Sequence, residues 1–278
     1  MSDNVCLNDG PDHVARILKN KPGTRDMHNS NTRTLSGKTA LVTGAARRIG
    51  AAIAETLHDA GMNVAVHYRA SAKEAEGVAA RLNDKRSDSA KTFQADLIQD
   101  GTPDALVGKI VDWSGRLDTL VNNASTFYPT PLGQIDAAAW TDLIGSNLKA
   151  PLFLSQAAMP HLRDNRGSII NIVDIHAIRP LRHHHVYGAA KAGLAMLTRS
   201  LAKDLAPEIR VNGVSPGAIA WPQDGISEDT KQAIIDQIPL GRTGEPSDIA
   251  NTVLFLVRDA SYATGQVIAI DGGRSTGW

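Results

Sequence analysis

Short apolar runs rich in β-branched residues alternate along this chain with longer stretches whose apolar positions recur every three or four residues. The runs at 38–43, 63–67, 91–95, 117–122, 168–173, 210–214 and 266–270 read as strands. The helical period occupies residues 51 onward, 72–85, 103–113, 187–205 and 246–257. Residues 140–161 read as one long helix or two joined ones, interrupted at Pro151. Strands that alternate with helices imply a parallel sheet covered on both faces. Right-handed crossovers then give an α/β fold, a single Rossmann-type doubly wound parallel sheet with helices on both faces. No internal repeat or second domain is visible.

That pattern begins at about Leu35. Residues 1–34 are dominated by Asp, Asn, Gly, Lys and Ser, with a small apolar patch at Val14, Ile17 and Leu18. They read as a mostly disordered extension with one short helix near 12–20, and Met27 is an alternative start. The domain itself is expected over 35–278.

Composition narrows the class. The 278 residues carry 29 basic and 29 acidic side chains, so nothing favours a polyanionic partner such as nucleic acid. The single cysteine, Cys6, has no internal disulfide partner, which fits a reducing compartment. No apolar run approaches membrane-spanning length, and no signal-peptide apolar region is present. A cytoplasmic protein without a membrane partner is the expectation.

Three motifs carry chemistry. The first strand runs into Thr43-Gly44-Ala45-Ala46-Arg47-Arg48-Ile49-Gly50 and then a helix. That geometry places a pyrophosphate on a helix N-terminus. Gly44 permits the tight turn, and Gly50 permits close packing at the helix start. The second motif, Asn122-Asn123-Ala124, follows the run at 117–121. In the third, Tyr187 and Lys191 stand four apart on one helical face, where an ammonium can ease ionisation of a phenol. In this order the motifs resemble the short-chain dehydrogenase/reductase family, over about Leu35 to the C-terminus.

The resemblance implies a nicotinamide dinucleotide lying across the carboxyl ends of the strands. Gly44, Arg47, Arg48 and Ile49 would meet its phosphates, and Asn123 and Ala124 would line the cleft. Arg48 stands where the family has glycine, adding a planar positive donor beside that anion site; the competing reading is a solvent-facing Arg. At the end of the second strand the run is His67-Tyr68-Arg69-Ala70-Ser71. It lacks the carboxylate that would hold the ribose of NAD, while Arg69 and Ser71 suit the 2′-phosphate of NADP. NADPH is therefore the expected cofactor. Asp96 and Leu97 resemble the adenine contact, with a helix cap as the alternative for Asp96. Pro216, Gly217 and Ile219 should pass beneath the carboxamide.

At the reacting end the family uses Ser, Tyr, Lys and Asn. Tyr187, Lys191 and Asn147 match, but Asp174 occupies the Ser position. A carboxylate there would repel a developing alkoxide, which disfavours simple ketone reduction. It suits a ring nitrogen that must receive a proton, and it opposes phenolate formation at Tyr187. Phe127, in Asn123-Ala124-Ser125-Thr126-Phe127-Tyr128, is placed to stack on a flat heteroaromatic ring. With Arg48, Ser125 and the His67-Tyr68 run, the resemblance narrows to pteridine reductases. It implies NADPH-dependent reduction of pterin or folate C=N bonds, with Arg48, Ser125, Phe127, Asp174, Tyr187 and Trp221 meeting the substrate. The competing readings are a core aromatic for Phe127, a buried structural acid for Asp174 and surface packing for Trp221. At the level of function the alternatives are a carbonyl or quinone reductase and a dinucleotide-binding regulator without catalysis.

His183-His184-His185 and His176 lack metal-ligand spacing, so no metal is expected; a loop at the mouth of the site is the better reading. Residues 220–240 read as a mobile lid. The family resemblance also implies a homotetramer, with residues 140–161 and 187–205 as candidate interface surfaces.

Overall fold

The computed structural model describes residues 34–221 and 227–277. The expected helix near 12–20, the alternative start at Met27 and part of the expected lid lie outside them. Seven strands form one sheet: β1 (Thr39–Val42), β2 (Asn63–Tyr68), β3 (Ala90–Gln94), β4 (Thr119–Asn122), β5 (Ser168–Ile172), β6 (Arg210–Pro216) and β7 (Val267–Ile270). Their order is β3-β2-β1-β4-β5-β6-β7, and every neighbouring pair is parallel. This is a Rossmann-type α/β fold, and its order reverses between β1 and β4.

The helices are α1 (Arg48–Asp59), α2 (Ala72–Lys85), α3 (Thr102–Ser114), α4 (Ala137–Ile144), α5 (Ala150–Asp164), α6 (His185–Leu205), α7 (Glu228–Ile235) and α8 (Pro246–Arg258). The central strands β1, β4 and β5 are buried throughout, as expected for a parallel sheet covered on both faces, while edge strand β3 exposes Lys91 and Gln94. In β1, Ala40 and Val42 join a core with Ile53, Leu57, Val78 and Val253, while Leu41 points to the opposite core with Ile110, Leu154 and Val211. One strand thus supplies both layers through its period of two. Among the described residues no helix is long and apolar enough to cross a membrane.

Two expectations are corrected. Pro151 does not break the helical region, which continues through it: it lies in the first turn of α5, directly after a π-helical turn. The irregularity is instead a π-helical turn at Gly145–Lys149, between α4 and α5. The residue preceding α3 is Gly101, with φ 75°, so Asp96 is not that helix's cap. Asp96 accepts a hydrogen bond from the Ile98 N–H at 3.4 Å. Within the expected lid, α7 is a regular helix capped by Ser227, which accepts from the Thr230 N–H.

The strand ends at the switch point are stitched together. The buried Thr43 hydroxyl donates to the Val121 carbonyl at 3.2 Å and accepts from the N–H groups of Asn123 and Ala124, both at 2.9 Å. Thr43→Val keeps the shape and removes those partners. The Ala124 N–H loses its acceptor, so a loss of about 1–3 kcal/mol is expected. Urea denaturation should show a lower midpoint with an unchanged slope.

Candidate active site

The switch-point crevice begins with the loop between β1 and α1. Gly44 has φ 62°, which favours glycine. A Cβ on Gly50 would lie 2.2 Å from the Gly44 carbonyl oxygen and 2.6 Å from Asn123 Nδ2, so only glycine lets α1 start there. Asn123 in turn donates to the carbonyls of Thr43 and Gly44, at 2.8 and 3.1 Å. The loop and the end of β4 are therefore one packed unit. Arg48 adopts φ 50°, a left-handed conformation costing about 1–2 kcal/mol for a residue with a Cβ. This is the position where the resemblance expects glycine. Its guanidinium donates to the carbonyls of Ile219 and Ala220, both at 3.0 Å, tying the glycine loop to the segment after β6. A purely solvent-facing Arg48 is thereby excluded.

His67 fixes the other wall. The Gly44 N–H donates to its Nδ1 at 3.1 Å, so the ring proton sits on Nε2, which faces the Ala95 carbonyl at 3.1 Å. Burial pulls its pKa down to about 4, with the Ala95 hydrogen bond acting against it. His67 is thus neutral near pH 7 and supplies shape rather than charge. The positive groups here are Arg69, exposed and 3.5 Å from Asp142, and Arg47, exposed and paired with Glu74. Ser71 precedes α2 without capping it, and Tyr68 packs on the core. A cavity of about 150 Å³ opens between Gly44, His67, Arg69, Asp96, Leu97, Ile98, Ala124, Thr126 and Ser146. A larger open hollow of about 690 Å³ runs along edge strand β3 and contains none of the reacting side chains.

The reacting groups converge from β5, α6 and the π turn. Tyr187, buried at the start of α6, donates its phenol proton to Asp174 Oδ2 at 2.7 Å. The other Asp174 oxygen accepts from the His176 N–H at 2.8 Å. Burial and then the Asp174 charge push the Tyr187 phenol well above its ordinary range. The phenol is a proton donor, and any easing by Lys191 is outweighed. Lys191 is buried and donates to the Ile172 carbonyl at 2.9 Å; burial pulls its pKa down to about 8, with Asp174 opposing. Asn147, fully buried in the π turn, donates to the carbonyls of Leu143 and Thr126, both at 3.0 Å, and accepts from Ser125 Oγ at 2.7 Å. A π turn widens the helix and offers side chains carbonyls that a regular ladder would occupy. Ser125 is held beside the reacting pair in this way.

Phe127 is 56% exposed, which excludes the core reading. Its ring stacks on His184 at 4.6 Å and meets the edge of Tyr187 at 4.8 Å. The histidine run thus belongs to an aromatic rim. Among the described residues no group of His, Cys, Asp or Glu is placed to hold a metal. After β6, Gly217 packs so closely that a Cβ would lie 2.6 Å from Asp271 Cβ. Pro216 closes β6, Ile219 is buried, and Trp221 is partly buried at the end of the described segment. Thr43 and Ile98 contribute to the crevice without having been singled out by sequence. Thr43 stood inside the glycine motif as a hydroxyl among small residues; Ile98 gave no signal.

A family model described as enoyl-(acyl carrier protein) reductase matches residues 44–275. Pteridine reductase 1 of Leishmania tarentolae is 40% identical, covering 85% of this chain and 96% of its own. The 3-oxoacyl-(acyl-carrier-protein) reductase FabG of Staphylococcus aureus is 41% identical, covering 85% and 97%. The chain belongs to the short-chain dehydrogenase/reductase family of oxidoreductases.

Lys191 gives the site a pH signature. Its folded pKa of about 8 lies below the ordinary 10.5, so between those values the unfolded chain binds the extra proton. This group's contribution therefore makes stability rise with pH across that window. Dinucleotide affinity, measured by fluorescence titration, should weaken as pH rises through about 8, where the ammonium donor is lost. Asp174→Asn removes a charge that raises the Lys191 pKa and should move this limb to lower pH.

Proposed function

We propose that this oxidoreductase is an NADPH-dependent pteridine reductase, reducing a C=N bond of dihydropterins, dihydrofolate or folate. The observation that carries the reading is the 2.7 Å hydrogen bond from Tyr187 to Asp174. A carboxylate in that position repels an alkoxide but helps deliver a proton to a ring nitrogen. The exposed Phe127 beside Tyr187 supports a flat substrate, since an apolar ring left in solvent at a cleft is a ready stacking surface. The 40% identity to a pteridine reductase supports the same reading.

The cofactor's phosphates and 2′-phosphate would be held by the Gly44 loop, Arg47, Arg69 and Ser71, its adenine by Asp96 and Leu97, and its ribose by Tyr187 and Lys191. When bound, reduced nicotinamide supplies a hydride, here to a pterin ring carbon. The chain supplies the matching proton. A proton arriving on Asp174 reverses its bond to Tyr187, so the acid O–H donates to the phenol oxygen. The phenol O–H is then free to turn to the substrate nitrogen, and Asp174 afterwards restores the phenol. Arg48 and Ser125 would hold the polar edge of the ring. Trp140, Leu152, Phe153 and Met196, exposed on α4, α5 and α6, support assembly with further copies of the chain as a homotetramer.

The second reading is a carbonyl reductase, which the 41% identity to a 3-oxoacyl reductase favours. NADPH consumption with dihydrobiopterin, dihydrofolate and a panel of ketones, including an acetoacetyl thioester, separates the two. Pterin turnover should dominate and fall at least about 100-fold in Asp174→Ala, as for the loss of a general acid. Ketone turnover alone, or ketone activity enhanced by Asp174→Ser with pterin turnover intact, would overturn the reading.

Cofactor choice has its own test. Arg69→Asp should lower kcat/KM for NADPH by about tenfold or more through loss of a charge-assisted contact. NADH kinetics should be unchanged or improved. Equal losses for both cofactors would exclude 2′-phosphate recognition by Arg69.

A further inference from the structure

The connection between β5 and α6 sets one histidine against Phe127. His184 immediately precedes α6, three residues before Tyr187. Its imidazole lies 4.6 Å from the Phe127 ring with 18° between the planes, a stacked pair. Phe127 meets the Tyr187 ring edge-on, at 4.8 Å and 79°. The chain thus takes one face and one side of Phe127, yet the ring stays 56% exposed. Its open surface is chiefly the opposite face.

The backbone enforces this placement. His183 has φ 63°, a left-handed conformation that a residue with a Cβ rarely adopts. In that turn the His183 carbonyl accepts from the Thr130 N–H, and a parallel bridge pairs Thr130 with His184. The loop that carries Phe127 is therefore tied to the start of α6. Tyr128, the next residue, packs on the buried cluster of Leu143, Val186 and Tyr187. His184 Nδ1 faces the Arg182 carbonyl at 2.8 Å, which fixes the turn of the ring and puts the proton of the neutral imidazole on Nδ1. The side chain gives no cap to α6, so the helix start does not account for it. Strain beside a side chain with no structural employment points to function.

An exposed phenylalanine on a loop would otherwise exchange between rotamers. A ring stacked behind it removes that freedom before a ligand arrives, so less ordering cost falls on binding. We propose that His184 is a positioning residue for the substrate. It backs Phe127 and leaves only the opposite face to receive a flat heteroaromatic ring beside Tyr187. The platform is one-sided and preorganised, and it favours planar rings over aliphatic carbonyl chains. This rests on the pterin reading of the site.

The test is steady-state kinetics of the full chain with NADPH and dihydrobiopterin. In His184→Ala, KM for dihydrobiopterin should rise about three- to tenfold, as for loss of one aromatic pair, with kcat changing less than about twofold. NADPH affinity, read by fluorescence titration, should keep its wild-type value and shows that the variant is folded. His184→Leu has similar bulk without an aromatic face and should behave like the alanine variant. His184→Phe keeps a stacking ring without the Nδ1 contact and should recover most of the KM. In a Phe127→Ala background His184→Ala should add nothing, because partners in one contact are not additive. Pterin turnover with KM unmoved by both His184→Ala and His184→Leu would overturn the proposal and leave the pterin reading intact. So would a lowered KM, in which His184 competes with substrate for the ring, or a full rise in the Phe127→Ala background. Wild-type protein that turns over no pterin would overturn both.

Discussion

Everything in the crevice depends on how closely β1 and β4 approach at the point where the strand order reverses. The Thr43 hydroxyl bridges the two strand ends, and the Asn123 amide clamps the carbonyls of Thr43 and Gly44. Gly50 must lack a Cβ because that clamp leaves it no room. Parallel strands at a switch point diverge into loops and open a cleft. Here the opening is fixed by a buried hydroxyl and a partly buried amide that each hold two or more backbone groups, so its width is set by geometry rather than by loop entropy.

That rigidity lets the second layer of the site carry strain and electrostatic cost. Arg48 is held left-handed by two carbonyls on a segment far along the chain. Lys191 is buried as a cation, and Tyr187 is buried against a carboxylate. Each arrangement opposes local preference, and such conflicts collect where function requires them. The balance of charges follows. The carboxylate raises the phenol and also supports the ammonium, so one group keeps two others protonated.

The same group links the cleft to its rim. On one side Phe127 stacks on His184 and meets the edge of Tyr187, while on the other the turn from Asp174 leads to Arg179, whose guanidinium donates to the Arg274 carbonyl. Asp174, Arg179 and His184 lie on the connection between β5 and α6, and Phe127 and Arg274 reach them from the loop after β4 and the turn after β7.

Sequence by itself determined the alternation of strands and helices, the glycine loop and the Tyr187–Lys191 face. These rest on local periodicity and on backbone conformations few residues can adopt. Asp174 was placed beside the phenol by the family resemblance, as the residue in the family's Ser position. The π turn that aims Asn147, the neutral tautomer of His67, the exposure of Phe127 and the meeting of Arg179 with Arg274 were decided by tertiary structure alone. Each arises from a contact between segments distant in sequence, whose distance, burial and hydrogen-bond partner no local pattern encodes.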